Sequence, residues 1–231
     1  MIITKYKNIK RLIDIFLSLI AILILWPFLL IIAIAIKFDS KGSVLFKQKR
    51  IGKDKTCFNI LKFRTMRVDA PKDTPTHLLR EPEKYITKVG KFLRRTSLDE
   101  LPQIFNILAG HMSVVGPRPA LWNQYDLIIE RDKYGANSVR PGLTGWAQIN
   151  GRDELPIEVK AKLDGEYVSN MSVLLDLDCI FSTFVNVLKA KGVVEGGAEV
   201  PGHTEDTTLE FAVNEKKQIN FIDKIEETFY T

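Results

Sequence analysis

Residues 15–36 read IFLSLIAILILWPFLLIIAIAI, a run of 22 residues without a charge. A straight helix of that length reaches about 33 Å, enough to cross the hydrocarbon core of a bilayer. The core helix of a soluble domain rarely stays uncharged for so long. A signal peptide is the other ordinary source of such a run, and Ala33-Ile34-Ala35 has the small-residue form of a cleavage site. The apolar stretch nevertheless exceeds the about 7–15 residues of a secretory signal. The segment is read as membrane-associated. Pro27 stands near its middle; it lacks the N–H that would bond the carbonyl of Leu23, so a kink is expected there. Both flanks are basic: Lys5, Lys7, Lys10 and Arg11 precede the segment, and Lys37, Lys41, Lys47, Lys49 and Arg50 follow it. Basic flanks favour the cytoplasmic face. A straight span strands one cluster outside, whereas a helix broken at Pro27 enters and leaves by the same face. Asp14, one turn from Lys10 and Arg11, is expected to pair with them.

Length and composition bound the remainder. A chain of 231 residues holds one real core and an appended element. It is 45% hydrophobic and 26% charged, which excludes both a disordered and a wholly membrane-embedded protein. The net charge of +5 favours anionic partners, namely nucleic acid, lipid headgroups or phosphorylated substrates. Cys57 and Cys179 lie far apart, without metal spacing, as in a reducing compartment. His77, His111 and His203 form no pair at ligand spacing, so no zinc site is expected.

Beyond the membrane segment, Val44–Ile51 and Thr56–Phe63 read as two strands joined by Gly52-Lys53-Asp54-Lys55. They carry Lys47, Lys49, Arg50, Lys62 and Arg64, which form either a solvated basic face or a surface for headgroups or a nucleotide diphosphate. Residues 70–82 hold three prolines and read as a loop; Tyr85–Arg95 reads as a helix.

The next stretch, residues 94–119, is RRTSLDELPQIFNILAGHMSVVGPRP. Asp99 and Glu100 lie between Arg94-Arg95 and Arg118, and carboxylates beside guanidinium groups suit phosphate chemistry. The same residues also fit a helix start. Ser97 and Glu100 have capping-box spacing ahead of an apolar run, although Pro102 sits better in a first turn that begins at Asp99. In either case the acids lie at a helix N-terminus, a place that favours anions and phosphates. Residues 114–119, VVGPRP, are expected to be irregular, with Arg118 held extended between two prolines.

Residues 140–152, RPGLTGWAQINGR, place Gly142, Gly145 and Gly151 between Arg140 and Arg152. Pro141-Gly142 suits a type II turn, and the glycines would admit close approach of a ligand. Trp146 either stacks on a base or packs in the core. Neither a Walker A motif nor G-x-G-x-x-G occurs. Pro156–Val168 reads as a polar helix. Val173–Ala190 reads as an apolar one whose stripe of Val173, Leu174, Leu177, Ile180, Phe181, Phe184, Val185 and Leu188 points to a core helix, the alternative being a helix lying in the headgroup plane. After Gly192 the chain reads as a polar tail with a short helix near Phe221–Phe229. The fold class is thus α/β, mostly helical with a small β-hairpin. Its parts are a basic N-terminus and re-entrant helix (1–37), one catalytic domain (38–192) and a tail (193–231).

Together these stretches resemble the monotopic phosphoglycosyl transferases of bacteria, which initiate glycoprotein, capsule and exopolysaccharide assembly. The resemblance covers about residues 10–192. It rests on KRLID at 10–14, the proline-broken apolar segment, KFRTM at 62–66, RRTSLDELPQIFN at 94–106, MSVVGPRP at 112–119 and RPGLTGWAQINGR at 140–152. It implies a re-entrant helix and a catalytic domain on the cytoplasmic face of the inner membrane. It implies an Asp99–Glu100 dyad that acts with Mg²⁺ to transfer a sugar 1-phosphate from a UDP-sugar to polyprenyl phosphate, releasing UMP. Asp99 would be the nucleophile and a metal ligand, kept ionised by the helix N-terminus; Glu100 would manage a proton or help hold the metal. Arg94 and Arg118 would bind phosphate, with Arg140 and Arg152 as further substrate contacts. Many members have Ser before the helix-breaking proline, where this chain has Trp26. The small size is similar to that of transferases handling diacetylbacillosamine and related acetamido sugars. Inner-membrane lipids and a second copy of the chain are the expected partners; nucleic acid is not. Two other readings fit part of the sequence: a membrane-tethered basic lipid-binding module, and a membrane-bound phosphohydrolase with water as acceptor.

Overall fold

The apolar run lies within a single helix, α1 (Ile2–Asp39), whose regular hydrogen-bonded structure continues through Pro27. One missing donor removes one bond of the ladder and leaves those on either side intact. The computed structural model describes residues 2–71, 81–151 and 155–188, all within one compact unit, Met1–Gly196. The tail after residue 193, with its expected short helix, and most of the 70–82 loop lie outside the described residues.

The hairpin forms as expected. Strand β1 (Leu45–Ile51) pairs antiparallel with β2 (Cys57–Phe63), with Phe46 opposite Lys62 and Ile51 opposite Cys57. The other edge of β2 is covered by a side chain. The Asn106 amide accepts from the Leu61 N–H at 2.8 Å and donates to the Asn59 carbonyl at 2.8 Å. This imitates a third strand and fixes α3 (Gln103–Ala109) against the sheet.

Helix α2 (Lys88–Arg95) starts later than the sequence suggests, because Thr87 is its N-cap and accepts from the Gly90 N–H. The VVGPRP stretch is not wholly irregular. Ser113–Val115 forms β3, parallel to β4 (Gly142–Thr144). The type II turn expected at Pro141-Gly142 is absent, because Gly142 has no positive φ and begins that strand. Glycine is required there for main-chain contact. A Cβ on Gly142 would lie 2.1 Å from the Gly116 nitrogen, and one on Gly145 would lie 2.0 Å from the Gly116 oxygen.

Helices α4 (Tyr125–Asp132), α5 (Trp146–Ile149), α6 (Ile157–Ser169) and α7 (Val173–Leu188) complete the described chain. Trp146 packs against a core of Tyr6, Val115, Val139, Tyr167, Met171 and Cys179. It is partly buried there, which favours the packing reading. The broad stripe of α7 is not core. Leu174 is 79% exposed and Phe181 69%, with Leu177 and Phe184 also exposed. Among the described residues of this helix only Cys179 and Asp176 are buried, so the exposed stripe fits the alternative of a helix lying on a membrane surface.

Helix α1 meets the rest of the unit at both ends. Near its start, Tyr6 donates to Asp176 at 2.6 Å, Lys10 pairs with the same carboxylate, and Arg11 donates to the carbonyls of Ile107 and Leu108. Asp14 does not pair with its basic neighbours; it accepts from the Val114 N–H and the Ser113 hydroxyl. Near its end, Leu29, Ile32, Ala33 and Ile36 pack on Phe63, Leu93, Leu98 and Leu101. Arg64 donates to the carbonyls of Ser40 and Lys41 just beyond the helix. Along α1, Leu12, Phe16, Leu23, Ile24, Phe28 and Ile31 stay exposed, and mean hydropathy reaches 3.1 in the most apolar window.

Candidate active site

Asp99 and Glu100 occupy a single 3₁₀ turn, Leu98–Glu100, between α2 and α3. The capping-box reading fails. Ser97 has φ of 56° and no side-chain cap bond, and Pro102 stands at the N-cap of α3. The acids therefore precede that helix by a short connection. Leu98 and Leu101 pin the turn to the C-terminal third of α1, which presents the two carboxylates where the apolar helix ends.

Three elements bring cations to this turn. Lys62, near the end of β2, donates to Glu100 Oε1 at 2.7 Å. Arg118 donates to the same oxygen at 3.2 Å. Arg94 closes α2, and its charge acts on the Asp99 carboxyl. The position of Arg118 is set by main-chain bonds on either side. The Pro117 carbonyl accepts from the Gly142 N–H at 2.9 Å, the Pro119 carbonyl from Arg50 at 2.9 Å, and the Ala120 carbonyl from the Ile51 N–H at 3.0 Å.

Burial pushes the Asp99 carboxyl above the usual carboxylate range. Lys62 is the strongest opposing influence, Glu100 adds to the rise, and Arg94 and Arg118 oppose it. The expectation that a helix N-terminus keeps Asp99 ionised is not met: its carboxyl is shifted toward the neutral form by burial, and Lys62, Arg94 and Arg118 only lessen that shift. Sequence reading placed Lys62 in the KFRTM motif and on a basic hairpin face, either solvated or meeting headgroups or a nucleotide diphosphate, without tying it to the acids. Its signal, a lysine at a strand end in KFRTM, became specific only when Glu100 was found beside it.

Arg140 is placed elsewhere. Its Nε donates to the Gly110 carbonyl at 2.8 Å, at the opposite end of α3 from the acids. Arg152 lies outside the described residues. Among the described residues no group of three or more His, Cys, Asp or Glu side chains converges. The acidic donors at the turn are the Asp99 and Glu100 carboxylates. That is a fit for Mg²⁺, which takes one or two protein carboxylates together with substrate phosphate oxygens and water.

Two adjacent carboxylates and three cations beside an apolar helix make a site suited to phosphate groups. The chain matches the bacterial sugar transferase family over residues 5–190 and belongs to it. It is 41% identical over 196 residues to the exopolysaccharide production protein PSS of Rhizobium leguminosarum bv. phaseoli, covering 80% of this chain and 98% of that one. It is 42% identical over 189 residues to the UDP-glucose:undecaprenyl-phosphate glucose-1-phosphate transferase of Xanthomonas campestris pv. campestris, and 43% over 192 residues to the protein so named in Escherichia coli. These matches cover 79% and 78% of this chain but only 39% and 41% of those relatives. The resemblance drawn from the motifs is borne out, and the protein is a phosphoglycosyl transferase.

Proposed function

We propose that the protein transfers a sugar 1-phosphate from a UDP-sugar to undecaprenyl phosphate, releasing UMP, as the first membrane step of exopolysaccharide or capsule assembly. The observation that carries this reading is the Asp99–Glu100 turn, faced by Lys62, Arg94 and Arg118 and seated on the end of α1. The names of two relatives put glucose 1-phosphate first among the sugars to test.

Transfer proceeds in two displacements. An Asp99 carboxylate oxygen attacks the β-phosphorus of the UDP-sugar; the bond from that phosphorus to the bridging oxygen breaks, and UMP departs. Asp99 then carries the sugar phosphate as an acyl phosphate. A phosphate oxygen of the polyprenyl carrier attacks the same phosphorus and returns Asp99 to a carboxylate. Arg118 and Arg94 hold phosphate oxygens, and Lys62 favours the ionised state of Asp99. Glu100 handles a proton or shares the metal. Mg²⁺ held by Asp99, with Glu100 in reach, would offset the charge of the pyrophosphate.

The helix is proposed to be re-entrant, with the unit on the cytoplasmic face of the inner membrane. Both ends of α1 dock on the same globular unit, and a unit on one side of a bilayer reaches only one end of a spanning helix. Basic residues flank both ends, which favours the cytoplasmic side. The exposed stripe of α7 would lie in the same surface. The test is the intact mass of the protein with Mg²⁺ and a panel of UDP-sugars, without lipid acceptor. One added sugar phosphate, absent in Asp99→Asn, is expected and identifies the sugar. Lipid-dependent UMP release with no adduct from any sugar would instead mean direct transfer, with Asp99 as a ligand. UDP-sugar turnover without lipid would mean a hydrolase.

A further inference from the structure

Two guanidinium groups meet at the C-terminal end of α3, away from the acidic turn. Arg11 NH1 donates to the Ile107 carbonyl at 2.7 Å and NH2 to the Leu108 carbonyl at 2.9 Å, while Arg140 Nε donates to the Gly110 carbonyl at 2.8 Å. Each group satisfies the end of the same helix, and the charge of Arg140 bears on Arg11. Gly110 has φ of 88°, and a Cβ there would lie 3.2 Å from Arg11 NH2, so this end of α3 is shaped around the guanidinium. Among the described residues neither arginine forms an ion pair with a carboxylate. The nearest acid on α1, Asp14, already accepts from Ser113 and Val114. The terminal nitrogens of Arg140 have no acceptor among the described residues. The Asp14 charge acts on Arg11, but that carboxylate is held by Ser113 and Val114, so two adjacent half-buried cations share a single acid and leave a demand for a further anion.

The surroundings say at what depth that anion lies. On the same turns of α1, Ile9 is 51% exposed, Leu12 69% and Phe16 63%. Arg11 therefore stands where lipid-facing residues begin, the level of the headgroup phosphates.

We propose that Arg11 and Arg140 together bind the phosphate of an anionic phospholipid. Arg140 contributes its terminal N–H groups, Arg11 the N–H groups not engaged by α3, and the acyl chains run along the exposed face of α1. The site fixes the depth and rotation of the membrane helix relative to α3, the helix that follows the catalytic turn. This rests on the membrane reading of α1, so the test separates the two.

The full-length protein is assembled in nanodiscs of phosphatidylcholine with added phosphatidylglycerol and moved to detergent, and retained lipid is counted by native mass spectrometry. One phosphatidylglycerol per chain, retained in preference to phosphatidylcholine, is expected. Arg140→Gln, which keeps a donor toward Gly110, should lower that retention about tenfold, the loss of charge-assisted bonds; Arg140→Lys should keep part of it. Equal retention of the two lipids by the wild type overturns the proposal without reliance on any variant. So does unchanged retention in Arg140→Gln and Arg11→Gln. Inorganic phosphate that displaces the lipid completely would reassign the site to free anions. Release of the protein from membranes by carbonate would refute the membrane reading of α1 and is scored separately.

Discussion

The Lys62 ammonium lies 2.7 Å from Glu100, and its charge is the strongest acting on Asp99. Lys62→Met should lower kcat/KM for UMP release by about 10²-fold, the scale of one lost electrostatic contact in a transfer site. Lys62→Arg should restore part of it. In the proposed mechanism Asp99 attacks as a carboxylate; its pKa is raised, so activity should fall on acidification at a pH above that of an ordinary aspartate. Removing Lys62 removes a lowering influence and should move that limb higher still. A limb that stays in place in Lys62→Met would sink the assigned role. Glycine 142 belongs to the same scale. Its Cβ would meet the Gly116 nitrogen at 2.1 Å, so Gly142→Ala should destabilise the protein by about 1–3 kcal/mol or more, read by thermal denaturation.

Among the elements, α1 and α7 share a polar joint. Lys10, Tyr6 and Tyr167 all donate to Asp176, in a site where the Lys10 and Asp176 side chains are 9% and 12% exposed. Asp176→Ala strands the ammonium and should cost about 3–5 kcal/mol. Adding Lys10→Met should recover most of that loss, a coupling that a double-mutant cycle measures. The outer face of α7 behaves differently. Phe181 is 69% exposed, so Phe181→Asp should change stability by no more than about 0.5 kcal/mol while reducing retention on anionic vesicles. A large stability loss would mean that this face is covered by protein.

For the whole molecule, the arrangement of α1 decides which side of the bilayer each end reaches. Lys7 and Lys41 are both exposed and flank the apolar run. In a background with Cys57→Ser and Cys179→Ala, Lys7→Cys and Lys41→Cys should both be labelled by an impermeant maleimide only in inside-out vesicles. Labelling of the two from opposite sides would establish a spanning helix and remove the re-entrant reading. The same geometry places the acidic turn next to the C-terminal end of α1.

The sequence by itself determined the apolar helix, the β1–β2 hairpin, helices α6 and α7 and the family motifs. Each is written in local periodicity, turn residues or short runs that need no distant partner. Tertiary structure decided where those pieces meet. It placed Lys62 beside Glu100 across 38 positions of chain and sent Arg140 to the far end of α3. It paired Ser113–Val115 with Gly142–Thr144, strands too short to carry an alternating pattern of their own. It also turned the stripe of α7 outward, because an apolar face has the same spacing whether it meets a core or a membrane.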